Sequence, residues 1–295
     1  MAPPRPPAPH PLERTDTATR PARALLGWMS QEEAELALTR RGVDAVTPQH
    51  RERIAQVRAA VAARPAGIDQ AEILSALPDA LRPHAERLQA LAIFAPLAAA
   101  GWSFQVADLA KVCALQPFVF WDQAGDPTRI PSAADLTALA NLTLPIPGKS
   151  ELPLHFDAAR NTWIVTSDDQ NLQILGHFTG PVQQHVGCGF LIGILPSFVQ
   201  VARYRGRYLL CDGYHRCLGL LARGIRKVPV LFKDFAPGEA LGIGAEPDIL
   251  PEVVFLGERP PRLPDYLEGR VAAEVRWPAT RKMLLIQGLE ISPPG

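Results

Sequence analysis

The sequence predicts an α+β protein in which a helical amino-terminal module precedes a mixed α/β domain. Three observations carry that expectation. Helix capping signals and apolar residues at helical spacing run from Ser30 to about Ala100. After Trp102 the apolar residues regroup into short β-branched and aromatic runs. From Phe190 to Phe235 a hairpin pattern leads through a glycine corner into an apolar-faced helix and a further strand. With 47% apolar residues among 295, the chain can bury a core of one large or two modest domains.

Residues 1–25 open with Pro3, Pro4, Pro6, Pro7, Pro9, Pro11 and Pro21 and few large apolar side chains. Such a stretch cannot bury enough surface to offset its ordering entropy, so a disordered leader is expected. The helical module spans 26–101. Ser30 and Glu33 form a capping box, and Gly42 is placed to end the helix in the left-handed conformation. A second helix starts at Thr47-Pro48, carries Ile54, Val57 and Val61 on one face and stops at Pro65-Ala66-Gly67. A third is expected from Asp69 to Pro78, and a fourth from Pro83 to Ala100, bent or restarted at Pro96.

The α/β domain is expected over 102–236. Phe104 to Leu109 and Phe118 to Trp121 read as short strands. Residues 122–180 read as a loop-rich insertion with a short helix at Ser132 to Asn141 and a strand at Thr162 to Thr166. Residues 237–295 read as an irregular proline-rich tail.

Thirty basic residues balance thirty acidic ones, which removes a general attraction to nucleic acid or anionic membrane. DNA binding therefore has no support from net charge. No apolar run is long enough to span a bilayer. Cys113, Cys188, Cys211 and Cys217 show no C-x-x-C spacing, so reduced thiols in a cytoplasmic protein are the simplest reading, and no metal site is expected from the protein's own ligands.

The chemistry concentrates at Asp212-Gly213-Tyr214-His215-Arg216. A strand that ends in glycine and opens into a helix presents helix N-terminal N–H groups to whatever lies above it. A phosphate there would receive those N–H bonds, the positive end of the helix dipole and the Arg216 guanidinium. Gly213 would let an oxygen ligand approach the backbone. Taken singly, the same residues suit an ordinary strand-to-helix corner with a solvated first turn.

In order and spacing, Gly193-Ile194-Leu195-Pro196-Ser197-Phe198-Val199-Gln200-Val201, Gly213-Tyr214-His215-Arg216, the helix after it and Val228-Pro229-Val230 resemble the ParB/sulfiredoxin superfamily over about 45 residues. Phe104 to Leu109 and Leu115-Gln116-Pro117 resemble the first strand and Gln-Pro element of that fold more weakly. The resemblance implies a ParB amino-terminal-like domain that binds a nucleoside triphosphate, ATP or CTP with Mg2+, at Gly213, Tyr214, His215 and Arg216. It implies phosphoryl transfer or hydrolysis there, with Asp212, His215 and His185 as catalytic candidates. Free-serine kinases and proteins linked to DNA phosphorothioate modification carry the most similar strings. Tyr214 stands where sulfiredoxin has its cysteine, so sulfinic-acid reduction is not expected.

Alternatives from other classes stay open. One is a non-catalytic, nucleotide-responsive regulator or DNA-associated binding protein. Another is a degenerate domain serving as an interaction scaffold, with a protein partner on the helical module. His185 also reads as a loop histidine with no role. Asp168, Asp169 and His177 are weaker candidates still, since turn carboxylates usually cap turns. Arg203, Arg205 and Arg207 could share a face and meet phosphate, or form a solvated hairpin tip. Cys211 and Cys217 read as inert core thiols.

Overall fold

The structure is a computed structural model that describes residues 19–39, 44–121, 131–148, 152–167, 169, 171–241, 249–279 and 282–287. It contains both helices and sheets, as an α+β protein should. Gly42, Asp168 and the closing Pro293-Pro294 lie outside the described residues.

A six-stranded mixed sheet forms the centre. Its strands are β2 (Leu74–Ala76), β3 (Ser103–Asp108), β4 (Cys113–Ala114), β10 (Gln200–Tyr204), β11 (Arg207–Asp212) and β12 (Lys227–Asp234), in the order β2-β3-β12-β10-β11-β4. β10 and β11 form an antiparallel hairpin whose two-residue turn places Arg205 at φ 47° and Gly206 at φ 77°. Positive φ at both central positions gives the turn twist that matches paired strands. β12 returns parallel to β10 after the helix Tyr214–Ala222, and β3 closes antiparallel on β12. Val201, Leu209, Leu210, Val228, Val230 and Leu231 are all fully buried, so the hairpin and β12 lie at the heart of the sheet.

Around it stand α1 (Gln31–Leu38), α2 (Pro48–Ala62), α3 (Arg82–Gln89), α4 (Ala95–Ala99), α5 (Leu136–Thr143), the corner helix α6 (Tyr214–Ala222) and α7 (Glu252–Phe255). The capping boxes at Ser30 and Thr47 form, and Ile54, Val57 and Val61 are buried on α2. The helix expected from Pro83 is interrupted by a 3-10 turn at Ala92–Phe94 and restarts as α4 around Pro96.

Several expectations fail for physical reasons. The third helix does not form. Asp69 instead accepts a hydrogen bond from the Ala71 N–H, Glu72 sits at φ 52°, and the chain enters β2. A non-glycine residue at positive φ cannot continue a right-handed helix. The expected disorder of residues 1–25 fails over residues 19–24, because Thr19–Ala24 is strand β1, while residues 1–18 lie outside the described residues. It pairs with β13 (Ala273–Pro278) along its whole length and with β5 (Phe118–Phe120) through Ala22–Ala24. Pro21 falls outside the part paired with β5, so its missing N–H is lost to no bond there.

The carboxy-terminal region is not an irregular tail. It supplies α7, a 3-10 turn at Leu263–Leu267, β13 and β14 (Lys282–Gln287). Tyr266 is fully buried and donates to the Gln116 carbonyl at 2.6 Å. One apolar core joins Leu25, Val61 and Ile73 with the central sheet and with Tyr266 and Val271, so the helical region and the tail share the core of the α/β region. The expected insertion is also more ordered than loop-rich. It holds α5, β6 (Leu154–Asp157) and β7 (Thr162–Ser167), the last sandwiched between β6 and β14. Then β8 (Leu172–Val182) and β9 (His185–Ile194) form a long hairpin that is a sheet of its own. No helix among the described residues is long and apolar enough to cross a membrane.

Candidate functional site

The corner sits where β11 hands over to α6. Gly213 begins the helix at φ 94°, a left-handed conformation that penalises any residue with a Cβ. Its open side is not available to a ligand, however. A Cβ at Gly213 would lie 2.7 Å from Val199 Cγ2 and 3.0 Å from Val199 Cα, so the glycine is needed for packing against the entry to β10. Val199 thus fills the side on which an oxygen ligand was expected to approach the backbone, and the Gly213 N–H donates to Asp212 Oδ1 at 2.6 Å.

Tyr214 is likewise a structural residue. Its ring is buried, and its hydroxyl accepts from the Leu115 and Gln116 N–H groups at 2.6 and 3.3 Å while donating to the Leu210 carbonyl at 2.6 Å. One hydroxyl thus ties β4's exit to β11, and burial pushes its pKa far above the ordinary tyrosine value. The side chain cannot serve a ligand.

Arg216 carries the largest correction. Its Nη1 donates to the Ser197 carbonyl at 2.6 Å and the Leu142 carbonyl at 3.1 Å, and its Nη2 donates to Ser197 Oγ at 2.7 Å. Leu142 lies in the last turn of α5, where carbonyls lack intrahelical partners. The neighbouring Thr143 carbonyl accepts from the Val199 N–H at 2.8 Å, and Leu144's is 2.8 Å from His84 Nε2. So the guanidinium closes the end of α5, a duty beyond the phosphate contact that the sequence suggests. Burial lowers the Arg216 pKa, opposed by Asp212, Cys217 and Asp169. Three of its five N–H donors are committed in this way.

Asp212 and His215 remain at the site. Asp212 Oδ2 accepts from Ser197 Oγ at 2.7 Å, giving a chain Asp212–Ser197–Arg216 along one wall. His215 is half-buried and stacks on Phe120, ring centroids 6.1 Å apart and 13° from parallel. Both line a cleft of ≈ 770 Å3, together with Asp169, Asn171 and Ser197. Among the described residues no side chain caps α6, and the first intrahelical bond of its N-terminus is Cys217 N–H to Gly213 O at 3.0 Å. Residues 213 to 216, the start of α6, line the cleft.

His185 is not part of this site. It is exposed at the tip of the β8–β9 hairpin, and Ile194, which borders the cleft, stands nine strand residues away, about 30 Å by strand rise. His177 lies on β8 opposite Phe190, also away from the cleft. The hairpin arginines are engaged: Arg203 with Asp234, Arg205 with Glu252, and Arg207 with the Gly257 carbonyl. They hold β12 and the α7 region against the hairpin. Cys113 and Cys217 are buried and Cys211 half-buried, and burial pushes all three thiols up to about 12. Among the described residues no three His, Cys, Asp or Glu side chains gather as a metal cage.

Ser197 is the residue that sequence reading passed over. Fifteen and nineteen positions separate it from its partners Asp212 and Arg216, so no local spacing marks it. Compared with known protein families, curated proteins and solved structures, the chain matches none.

Proposed function

We propose that the cleft above α6 binds a nucleoside triphosphate, in keeping with the resemblance of Gly213 to Arg216 and its flanking strands to the ParB/sulfiredoxin superfamily. The supporting observation is the α6 N-terminus, without a side-chain cap among the described residues, lining a ≈ 770 Å3 cleft, a volume in the usual range for small-molecule sites. The phosphates would take the main-chain N–H groups of residues 214 to 216 and the helix dipole. Arg216 contributes its two remaining N–H donors and a fixed positive charge. Asp212 and Asp169 are the carboxylates in the cleft that could take one or two positions on a phosphate-bound Mg2+, which ordinarily relies on few protein ligands. When bound, the metal would neutralise phosphate charge.

Chemistry at the site is phosphoryl transfer or hydrolysis, with Asp212 as the group that orients a nucleophile. One observation favours a second reading, binding without catalysis. Asp212 already holds Ser197 and the Gly213 N–H, so the pocket is hydrogen-bonded to itself before any substrate enters.

The test is thermal unfolding with ATP, CTP, GTP and ADP, each with and without Mg2+. A ligand at 100 times its Kd stabilises by about 2.7 kcal/mol, a rise of several degrees. At least one nucleotide should produce it, and absence of any shift overturns the proposal. Phosphate release by the wild type, lost in Asp212→Asn while the thermal shift persists, selects transfer or hydrolysis. Binding with no release selects the non-catalytic reading.

A further inference from the structure

Outside the cleft, the molecule's most unusual surface is the β8–β9 hairpin. It forms a two-stranded sheet by itself, and no other described element packs substantially against it. A hairpin alone is marginally stable in water. From Leu172 to Ile194 it contains no Asp, Glu, Lys or Arg. Among its exposed side chains are large apolar ones on both faces, with Leu175 at 50%, Phe178 at 60%, Val182 at 59% and Leu191 at 60% exposure on one and Ile174, Val186 and Phe190 on the other.

The two faces differ. Cross-strand pairing puts Phe178 opposite Gly189, Leu191 opposite Gly176 and Gly180 opposite Gly187 on one face. A Cβ at Gly189 would collide with the Phe178 ring, one at Gly187 with Val182, and one at Gly193 with Leu175. The apolar side chains therefore lie flat across cross-strand glycines and make a smooth sheet surface. The opposite face carries His177, Thr179 and Cys188 at its centre beside the exposed Ile174, Val186 and Phe190, and it lacks the row of cross-strand glycines.

We propose that this hairpin is a dimerisation arm, and that the Phe178 face of one copy packs on the same face of a second copy of this chain. Leu175, Phe178, Val182 and Leu191 expose about 400 Å2 of apolar surface between them, close to the apolar share of the ≈ 800 Å2 that each copy gives to a standard interface. A twofold interface must match itself, and an arm without charge presents no like-charge pairs when it does so. Its outer edges also carry unpaired strand N–H and C=O groups. A second strand or water can satisfy these, whereas a bilayer core cannot, which favours a protein partner over a lipid one.

Light scattering and sedimentation of the full chain across a dilution series test the proposal. The wild type should run as a dimer of twice the chain mass. Phe178→Asp and Leu191→Asp should each weaken dimerisation by about 30-fold or more, the effect of a central anchor. Val253→Asp, at an exposed valine on α7 outside the arm, should leave it intact. Circular dichroism checks that each variant is folded, and Val182→Lys near the tip serves should the others fail it. A wild type that stays monomeric to its solubility limit, or a dimer indifferent to all three arm variants, overturns the proposal. So does arm-dependent flotation of a monomer with phosphatidylglycerol vesicles, which would assign the surface to lipid.

Discussion

The β10–β11 hairpin and the β8–β9 hairpin are close in sequence and opposite in circumstance. The first is flanked by β12 and β4 and covered by α6, and its apolar residues vanish into the core. Among the described residues the second has neither flanking strand nor covering helix, and most of its large apolar residues face outward. Glycines make room for a neighbour in both places: Gly213 admits Val199 inside the core, while Gly187 and Gly189 admit the Val182 and Phe178 side chains, which stay exposed on the arm. Apolar content alone therefore does not separate core from interface. What separates them is whether the neighbouring segments bring the backbone partners that a strand needs.

That contrast can be broken most forcefully at Tyr214. Replacing it by alanine removes a buried ring and leaves the Leu115 N–H and Leu210 carbonyl without their partner. We expect a loss of about 4 kcal/mol, read as a lower urea midpoint with unchanged slope. Phe178→Ala in the arm should cost less than about 0.5 kcal/mol when measured at monomeric dilution. Similar costs for the two would mean that the arm is buried in solution or that the corner is looser than its geometry. Gly213→Ala comes next, at about 3 kcal/mol, because left-handed strain adds to overpacking against Val199. Gly206→Ala, at φ 77° with nothing within 4 Å of its Cβ, carries the strain alone and should cost about 1 kcal/mol.

Arg216 sharpens the comparison in a different way. Arg216→Lys keeps the charge but cannot reach the Leu142 and Ser197 carbonyls and Ser197 Oγ together. A loss of about 2 kcal/mol in thermal or urea unfolding is expected. If Lys restores wild-type stability, the residue acts as a point charge rather than as the closure of α5.

These residues also show what a sequence can and cannot disclose. Ser30-Glu33, Thr47-Pro48 and the Ile54-Val57-Val61 stripe specify helices by contacts within a few positions, and those helices form. The Arg205-Gly206 turn and the Gly213 start of α6 are legible for the same reason. β1 is not legible, because its partners are Phe118–Phe120 and Ala273–Pro278, far along the chain. Nor is the duty of Arg216, whose charge suggests an anion until α5's carbonyls come within reach. The cleft was foreseeable as a corner, whereas the Asp212–Ser197–Arg216 wall depends on tertiary contacts alone.

The mildest probe of the contrast is chemical. Cys188 is exposed on the arm, on the face that carries Thr179 and His177, opposite to Phe178, so an arm-to-arm dimer leaves it accessible. Cys113, Cys211 and Cys217 are shielded, and burial raises each toward 12, so near pH 8 they are protonated as well as enclosed. Since the thiolate is the reacting form, one cysteine per native chain should react quickly with a disulfide reagent and all four only in denaturant. The same shift fixes a pH dependence. A thiol held protonated in the fold contributes fully below its unfolded value, near 8.5, and the contribution is lost as pH rises toward about 12. Unfolding midpoints should therefore fall above about pH 8.5, and more gently in Cys217→Ala than in wild type. Fast reaction of a second native thiol, or an alkaline profile that Cys217→Ala leaves unchanged, would show that the corner opens to solvent more readily than its packing implies.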